Sequence, residues 1–333
     1  MLSSARGLID ILESFSGKRI LTIGDLMVDH YVYGDVNRIS PEAPIPIVDV
    51  ASSEFKLGGA ANVVGSIIDM GGVPLPVGVV GDDDYGRWMI NELKSKGIEK
   101  TCLLVSQERP TTVKTRIIAE RQHLIRIDYE KRDPIDCTLA NPIMSFVEDN
   151  KGDVDGAIIS DYEKGVVTID LLERLIPVLK KVDVCIVADA RAGNLLHYGG
   201  VTVVRTDTTY SSKATGINLI NETSLRNVGL NLLERLRCEA IVITRGKDGM
   251  TVFEKNGGLT HIPSTKESLK DITGVGDVVT STLTLALASG AAVVDSAKLA
   301  NYAAGIKVTK IGTATVTKDE LKDWLIRNES IQR

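Results

Sequence analysis

Residues 271–277 (DITGVGD) place the carboxylate of Asp277 just after two glycines and just before an apolar run at residues 278–289. This pattern predicts a flexible turn that opens into a helix, and the free N–H groups and dipole at a helix start attract anions. An acid in that turn, rather than a lysine, suggests that the anion is attacked and not only held. Asp277 is also compatible with an ordinary helix N-cap, since aspartate is favoured there. These residues alone leave both interpretations open.

A second glycine-rich stretch, residues 57–62 (LGGAAN), precedes a predicted helix of small residues at 59–70. Gly58 and Gly59 would let a ligand approach the backbone closely, and the Asn62 amide could bind sugar hydroxyls. Close helix packing without a ligand is the alternative interpretation of the same residues.

Two aspartates, Asp25 and Asp29, follow the first predicted strand at residues 19–24. Open α/β sheets bind ligands at the carboxyl ends of their strands, and a carboxylate can accept hydrogen bonds from two vicinal hydroxyls. Because Asp25 also suits turn chemistry, Asp29 is the preferred ligand.

Several familiar sites are missing from the sequence. It has no Gly-Lys-Ser or Gly-Lys-Thr for a Walker phosphate loop, and the glycines at 274 and 276 lack the third glycine of the dinucleotide fingerprint. The four histidines show no metal-ligand spacing, and no G-x-S-x-G nucleophile elbow occurs. A net charge of −5 argues against a nucleic-acid-binding protein.

The remaining composition is that of an ordinary globular protein. The four cysteines are far apart, fit neither a disulfide framework nor a zinc site, and are expected to be reduced thiols. No stretch approaches the ~20 apolar residues that span a bilayer. We therefore expect a cytoplasmic protein without membrane or nucleic-acid partners.

Strands and helices alternate along most of the chain, which predicts βαβ units on a mainly parallel sheet. An amphipathic helix is predicted within residues 1–18. The predicted strands lie at residues 19–24, 73–80, 156–160, 184–188, 201–204 and 240–244, and the predicted helices at 59–70, 87–96, 169–180, 224–236, 278–289 and 296–307.

Two segments, residues 31–56 and 112–130, lack helical periodicity and alternate like half-exposed strands. The prolines at 41, 44 and 46 suit an edge or a turn. We expect these segments to form a small separate sheet, inserted as a lid over the active edge of one domain that comprises residues 1–333.

The motifs together resemble the ribokinase-like (PfkB) family of carbohydrate kinases. The carboxy-terminal signature of that family, D-T-x-G-A-G-D, is similar to residues 271–277, and its amino-terminal glycine signature to residues 58–62. Residues 24–29, 38–44, 160–165 and 300–313 resemble heptose 7-phosphate kinases of ADP-heptose (lipopolysaccharide precursor) synthesis. The bifunctional members carry a second, nucleotidyltransferase domain. The chain ends at Arg333 without room for one, so we expect the stand-alone kinase form.

The resemblance implies a three-layer α/β/α fold with a β-sheet lid, and ATP with Mg²⁺ as phosphoryl donor. Asp277 would be the general base, and the N–H groups of Gly274, Val275 and Gly276 an anion hole. The implied substrate-binding residues are Asp29, Arg38, Gly58, Gly59, Asn62, Lys114, Arg116 and Asp161, and Arg121 is a further lid cation. The implied nucleotide-binding residues are Arg191, Asp207, Thr244, Gly246, Gly249 and Asn301, and Asp207 could also reach Mg²⁺ through water.

The chain departs from the family pattern at three places. Val275 replaces an alanine but keeps its backbone N–H, and residues 189–191 (DAR) replace D-P-K but keep a cation. Residues 207–210 (DTTY) replace N-x-x-E, so Tyr210 stands where the family has a glutamate that helps to organise Mg²⁺.

Three functions remain open on the sequence. The first is a kinase that phosphorylates the anomeric hydroxyl of a heptose 7-phosphate to give the 1,7-bisphosphate. The second is a ribokinase-like kinase of another sugar, sugar phosphate or nucleoside, and the third a non-catalytic ligand-binding relative. In the resembling kinases two lids pack together between subunits, so we expect a homodimer joined lid to lid.

Overall fold

The structure is a computed structural model that describes residues 5–120, 122–265 and 268–331. The strands, numbered along the chain, are β1 (Arg19–Gly24), β2 (Leu26–Ile39), β3 (Pro46–Gly59), β4 (Val73–Gly81), β5 (Cys102–Ser106), β6 (Thr112–Ala119), β7 (Gln122–Tyr129), β8 (Gly156–Ser160), β9 (Cys185–Asp189), β10 (Val203–Asp207), β11 (Ala240–Thr244), β12 (Met250–Glu254) and β13 (Leu259–Ile262).

The helices are α1 (Ala5–Glu13), α2 (Ala60–Asp69), α3 (Asp84–Ser95), α4 (Cys137–Asn150), α5 (Ile169–Lys180), α6 (Thr208–Thr215), α7 (Glu222–Leu236), α8 (Val275–Ala288), α9 (Val293–Lys307) and α10 (Lys318–Ile331). Helices and strands alternate along much of the chain, although α8, α9 and α10 follow one another. Among the described residues, none of these helices combines the length and apolar character needed to cross a membrane.

The large sheet has the strand order β13-β12-β11-β10-β9-β8-β1-β4-β5 and is parallel except for its β11-β12-β13 edge. Side chains on a strand alternate between its faces. Leu21 and Ile23 of β1 therefore join the apolar cluster of α4, α5 and α7, while Ile20 joins the cluster of α1, α2, α8, α9 and α10. The predicted three-layer α/β fold with a mainly parallel sheet is confirmed.

The second sheet, which we call the lid, has the order β3-β2-β6-β7. The pairs β2-β3 and β6-β7 are antiparallel, and the central pair β2-β6 is parallel. Its base packs onto α2 and α3 through Leu26, Val28, Leu57 and Val113. The lid is therefore joined to the body by an apolar core rather than by loops alone.

Several boundaries differ from the sequence prediction. The lid starts at Leu26 and not at residue 31, because its first residues are buried in the body and lack the alternation of a half-exposed strand. Strand β10 begins at Val203, two residues later than predicted. The elements that the sequence analysis missed are β5, β12, β13, α4, α6 and α10.

One buried carboxylate ties the loop after β8 to the loop after β1. Asp25 is 1% exposed, and its Oδ2 accepts hydrogen bonds from the N–H groups of Tyr162 at 2.8 Å and Lys164 at 3.1 Å. Its Oδ1 accepts one from the Val166 N–H at 3.0 Å. Burial raises the pKa of Asp25, and these three hydrogen bonds oppose that rise. The Asp25 carboxylate thus holds residues 161–166 in place.

We expect Asp25→Asn to lower the free energy of unfolding by about 2–3 kcal/mol, because hydrogen bonds to a charged acceptor are lost and buried N–H groups lose partners. Urea denaturation measures the effect. Asp153→Asn is the control, since its contact with Lys100 is an exposed ion pair of 3.4 Å and such pairs contribute less than about 1 kcal/mol. Equal midpoints for the two variants would show that the Asp25 carboxylate does not hold the loop.

Candidate active site

Five adjacent parallel strands, β11, β10, β9, β8 and β1, end at one edge of the large sheet. Polar residues stand at or just beyond these ends, as ligand sites of open α/β sheets require. They are Asp25 and Asp161 after β1 and β8, and Asp189, Asp207 and Thr244 as the last residues of β9, β10 and β11.

The start of α8 brings Asp277 to this edge. Gly274 precedes the helix with a φ of 77°, in the left-handed region that favours glycine. Asp277 lies in the first turn and is only 4% exposed. Asn62 Nδ2 donates to its Oδ2 at 2.6 Å, and the Tyr162 hydroxyl donates to its Oδ1.

Burial raises the pKa of Asp277 to about 6, although the hydrogen bonds from Asn62 and Tyr162 oppose that rise. The nearby Asp189 carboxylate raises this pKa further, and Arg205 lowers it. A carboxylate that titrates near neutral pH is suited to accept a proton during a reaction.

A buried arginine lies against the start of α8. An added Cβ at Gly276 would come within 2.9 Å of Arg205 Nη1. The same Nη1 donates to Asp189 Oδ1 at 2.7 Å, and Nη2 donates to Thr244 Oγ1 at 3.2 Å. Of the predicted anion-hole donors, the Val275 N–H is used in the turn, where it donates to the Ile272 carbonyl at 3.3 Å. The Gly276 backbone thus stands next to a fixed guanidinium.

A cavity of about 550 Å³ opens on the Gly276 side of Asp277. Its volume lies in the range of small-molecule sites. Residues from the ends of β10 and β11, from the loop before β12 and from α9 line it. Those that the family resemblance assigned to the nucleotide are Asp207, Thr244, Gly246, Gly249 and Asn301.

The side chains around the cavity determine how Mg²⁺ could be held there. Within the described ranges, no group of three or more His, Cys, Asp or Glu side chains could hold a metal ion. Mg²⁺ in kinase sites is held by one or two carboxylates together with water and substrate phosphates. Asp207 fits that role because it lines the cavity. It is also the N-cap of α6, where its Oδ1 accepts the Tyr210 N–H at 2.8 Å.

Arg191 lies between the cavity and the lid rather than in the cavity lining. Its Nη1 donates to the Tyr210 hydroxyl at 2.6 Å, and its guanidinium is 4.6 Å from the centroid of the Tyr162 ring. Tyr210, which replaces the glutamate of the family pattern, therefore accepts a hydrogen bond from Arg191 without neutralising it. In the described part of the chain, no carboxylate forms an ion pair with Arg191.

The inner face of the lid carries the predicted substrate residues. Asp29, 3% exposed, forms a buried ion pair with Arg116. A Cβ at Gly58 would come within 2.5 Å of Asp29 Oδ2, so only glycine leaves room for this carboxylate. Lys114 Nζ lies 5.4 Å from the centroid of the Tyr162 ring. Two cross-strand rows result, Lys56-Asp29-Lys114-Asp128 and Glu54-Tyr31-Arg116-Arg126.

Four predicted substrate ligands are placed differently. The Asn62 amide nitrogen binds Asp277 instead of an open site. Gly59, with φ 54°, starts α2 where a Cβ would come within 2.6 Å of the Asp25 carbonyl oxygen, so close packing requires it. Asp161 is buried and accepts from Tyr198 and Asn194, both at 2.8 Å.

Arg38 is the fourth. It is an exposed residue that faces Asp49 at 3.5 Å, nine positions beyond Asp29 on β2. At about 3.3 Å per residue, that spacing keeps it away from the Asp277 region of its own chain. The further candidate cation Arg121 lies outside the described residues.

Two site residues were missed by sequence reasoning. Arg205 sits within the strand β10, one position beyond the predicted strand at residues 201–204, and a charged residue directly after a buried apolar run is the signal that could have identified it. Tyr162 lies in the quoted stretch 160–165, but nothing in the sequence shows that its hydroxyl reaches Asp277 across 115 positions.

Comparison with known proteins agrees with this geometry. The profile of the pfkB family carbohydrate kinases matches residues 18–320. The chain is 38% identical over 301 residues to the bifunctional protein HldE of Geobacter metallireducens, and the aligned part covers 90% of this chain and 61% of the relative. It is 37% identical to the bifunctional protein HldE of Helicobacter hepaticus, covering 94% and 65%. The chain thus spans less than two thirds of the length of these relatives.

Solved structures show the same fold. Phosphofructokinase-2 from Escherichia coli in complex with potassium superposes with a TM-score of 0.77 at 16% identity, covering 94% of this chain and 99% of the other. Arabidopsis thaliana ribokinase complexed with ribose and ATP gives a TM-score of 0.72 at 14% identity, covering 93% and 99%. At these identities the likeness establishes the ribokinase-like fold alone.

Proposed function

The chain belongs to the pfkB family of carbohydrate kinases, and we propose that its acceptor is a heptose 7-phosphate, phosphorylated by ATP at the anomeric hydroxyl. The observation that carries the kinase mechanism is the position of Asp277. Its buried carboxylate stands at a helix start, with a nucleotide-sized cavity on one side and the polar face of the lid on the other. The assignment of heptose 7-phosphate as the acceptor is supported by the resemblance of the motifs and by the HldE relatives, which this chain matches over their kinase part.

In the proposed reaction, Asp277 takes the proton of the sugar hydroxyl as its O–H bond breaks. The hydroxyl oxygen forms a bond to the γ-phosphorus of ATP, the bond from that phosphorus to the bridging oxygen breaks, and ADP leaves. Such transfers depend mainly on positioning and charge stabilisation. The Gly276 backbone and the adjacent Arg205 would stabilise the charge of the transferred group, and Mg²⁺, when bound, neutralises phosphate charge.

The substrate phosphate requires a cation that is not already neutralised. Arg116 is paired with Asp29, whereas Lys114 forms no ion pair with a carboxylate among the described residues. Burial lowers the pKa of Lys114, the Asp29 carboxylate opposes that effect, and the neighbouring Arg191, Lys164 and Arg116 add to it. An anion between these cations would relieve their mutual repulsion, which favours Lys114 as the contact to the 7-phosphate.

The decisive test of the substrate is an ATP-consumption screen over heptose 7-phosphate, other sugar phosphates, free sugars and nucleosides. We expect the highest kcat/KM for heptose 7-phosphate, with the 1,7-bisphosphate identified by NMR. Preference for another acceptor would replace the heptose assignment and keep the kinase. No turnover with any acceptor would favour a non-catalytic relative, for which the replacement of the family glutamate by Tyr210 is the specific observation.

Asp277→Asn should lower kcat by about 10²–10⁴-fold, the usual contribution of a general base, while ATP and sugar still bind. In the parent enzyme only the ionised carboxylate can accept the proton, so kcat/KM should fall as the pH drops below about 6. Steady-state kinetics and calorimetric titration with ATP measure both effects. Near-normal turnover of the variant would refute the general-base assignment.

Lys114→Ala should raise KM for heptose 7-phosphate by about 10–100-fold, because a charge-assisted hydrogen bond contributes about 1.5–3 kcal/mol. Activity on an unphosphorylated sugar should change much less. Lys255→Ala, which removes a remote exposed cation paired with Glu239, is the control. If the parent and Lys114→Ala discriminate equally between the phosphorylated and free sugar, the phosphate is bound elsewhere.

The outer face of the lid supports the proposed homodimer. The cross-strand pairs Val32-Ile117 and Ile117-Ile125 form an apolar strip there, continued by Ile127 opposite Thr115. Ile125 is 55% exposed and Ile127 is 51% exposed. Contiguous apolar surface of this kind marks association sites, and a lid of a second copy presents the same surface, as a two-fold contact requires.

We expect Ile125→Lys combined with Ile127→Lys to convert a dimer into a monomer, because two buried charges would face their symmetry copies across the contact. Light scattering at micromolar concentration measures the mass. Ile220→Lys is the control, since Ile220 is 83% exposed but lies outside the lid. A parent protein that is monomeric, or a double variant that stays dimeric, would contradict the lid contact.

A further inference from the structure

The catalytic carboxylate has no free approach in this structure. Asn62 holds Oδ2 of Asp277, and the Tyr162 hydroxyl holds Oδ1. Each carboxylate oxygen has a second acceptor position, but because Asp277 is only 4% exposed, little of the carboxylate can be reached from solvent. Movement of one of these neighbours would open the approach for a sugar hydroxyl.

The two neighbours differ in their freedom to move. Asn62 is 2% exposed and stands in the first turn of α2, whose neighbouring residues are buried. Tyr162 is only half-buried and follows the end of β8. Of the two neighbours Tyr162 is thus the less enclosed, although its hydroxyl is buried against Asp277 Oδ1, in the place that an acceptor hydroxyl needs.

The backbone of Tyr162 is held by hydrogen bonds, so any movement would be confined to its side chain. The Tyr162 N–H is bound to Asp25, and the next N–H, from Glu163, donates to Asp161 Oδ1 at 2.8 Å. The ring has two cations near it, the Arg191 guanidinium at 4.6 Å and Lys114 Nζ at 5.4 Å from its centroid. Cations within about 6 Å of an aromatic ring attract it, so the ring has polar neighbours that can hold it after its hydroxyl leaves Asp277.

We propose that Tyr162 is a displaceable positioning residue, whose hydroxyl holds Oδ1 of Asp277 until the hydroxyl of the sugar takes its place. This inference rests on the proposed role of Asp277 as general base. In the free enzyme Tyr162 keeps the carboxylate oriented and ionised. In the sugar complex the acceptor O–H replaces the tyrosine O–H as donor, so the proton to be removed already points at Oδ1.

Other charged groups also face Asp277 and must be distinguished from Tyr162. Asp189 from β9 and Arg205 from β10 act on its titration, and Asp277 in turn acts on Lys307 at the end of α9. Arg191 and Lys114 surround the Tyr162 ring itself. Tyr162→Phe removes one hydroxyl and leaves all of these groups in place, so a change in titration reports the lost hydrogen bond.

The test follows the Asp277 carboxyl carbon by NMR in ¹³C-aspartate-labelled enzyme, with the resonance identified by its loss in Asp277→Asn. Without sugar, we expect the titration midpoint in Tyr162→Phe to lie about one pH unit above that of the parent, as loss of a charge-assisted hydrogen bond predicts. With saturating heptose 7-phosphate, the parent and variant should titrate together. Equal midpoints without sugar, or a difference that persists with sugar, would overturn the proposal.

Tyr198→Phe is the matched control, because Tyr198 donates to the carboxylate of Asp161 at 2.8 Å in the same region but should not change the Asp277 midpoint. If Tyr162→Phe does not fold, the parent labelled at tyrosine Cζ gives the answer. The Cζ resonance that responds to Asp277 titration should shift when sugar binds, and an unchanged resonance would refute displacement.

Failure of the substrate assignment is separable from failure of this inference. If heptose 7-phosphate is not turned over, the acceptor that the ATP-consumption screen identifies replaces it as the ligand, and the measurement without sugar is unaffected. If Asp277→Asn keeps normal turnover, the base assignment itself fails and the displacement proposal fails with it. Kinetics give an independent check, because the acid limb of kcat/KM reports the free enzyme and that of kcat the complex. Only the former should move in Tyr162→Phe.

Discussion

The burial of one carboxylate is the constraint on which the rest of the site depends. An ionised Asp277 at 4% exposure would be costly without partners, and the fold supplies them from distant parts of the chain. Helix α2 provides the Asn62 amide, and the loop after β8 provides the Tyr162 hydroxyl. Gly274 is part of the same arrangement, because a Cβ there would come within 2.8 Å of Asn62 Nδ2. These partners still leave the pKa of Asp277 near 6, where a proton can be accepted during a reaction.

The two sides of this carboxylate differ in chemistry. The cavity side is organised by the buried Arg205–Asp189 pair, which places a guanidinium against the Gly276 backbone. The lid side carries alternating charges along the row from Lys56 to Asp128, with Lys114 as the cation that lacks an ion pair among the described residues. Arg191 connects the two sides through the rings of Tyr162 and Tyr210. The replacement of a family glutamate by Tyr210 therefore gives Arg191 a neutral partner, and among the described residues no carboxylate forms an ion pair with it.

The lid presents two different surfaces because successive side chains of a strand point to opposite faces of a sheet. Its inner face presents polar side chains to the site, while its outer face presents the apolar strip of Val32, Ile117, Ile125 and Ile127. Its base is held by the apolar core shared with α2 and α3. A sheet of three or more strands with an apolar face, or one packed against helices, can be stable where an isolated hairpin is not, and the lid satisfies this condition through its base.

Much of this protein follows from its sequence because the signals are local. Alternating apolar runs and helix periodicity are set within a few residues, and they predicted the parallel sheet, the lid and the helix start at Asp277. Short motifs predicted the kinase family, which the comparisons confirm, and five of the residues that line the cavity. The sequence did not show that Asn62 and Tyr162 bind Asp277, that Arg116 neutralises Asp29, that Asp25 fixes a loop, or that Arg38 stands apart. Each of these depends on contacts between residues far apart in the chain, and only the packing of the strands and helices brings such residues together.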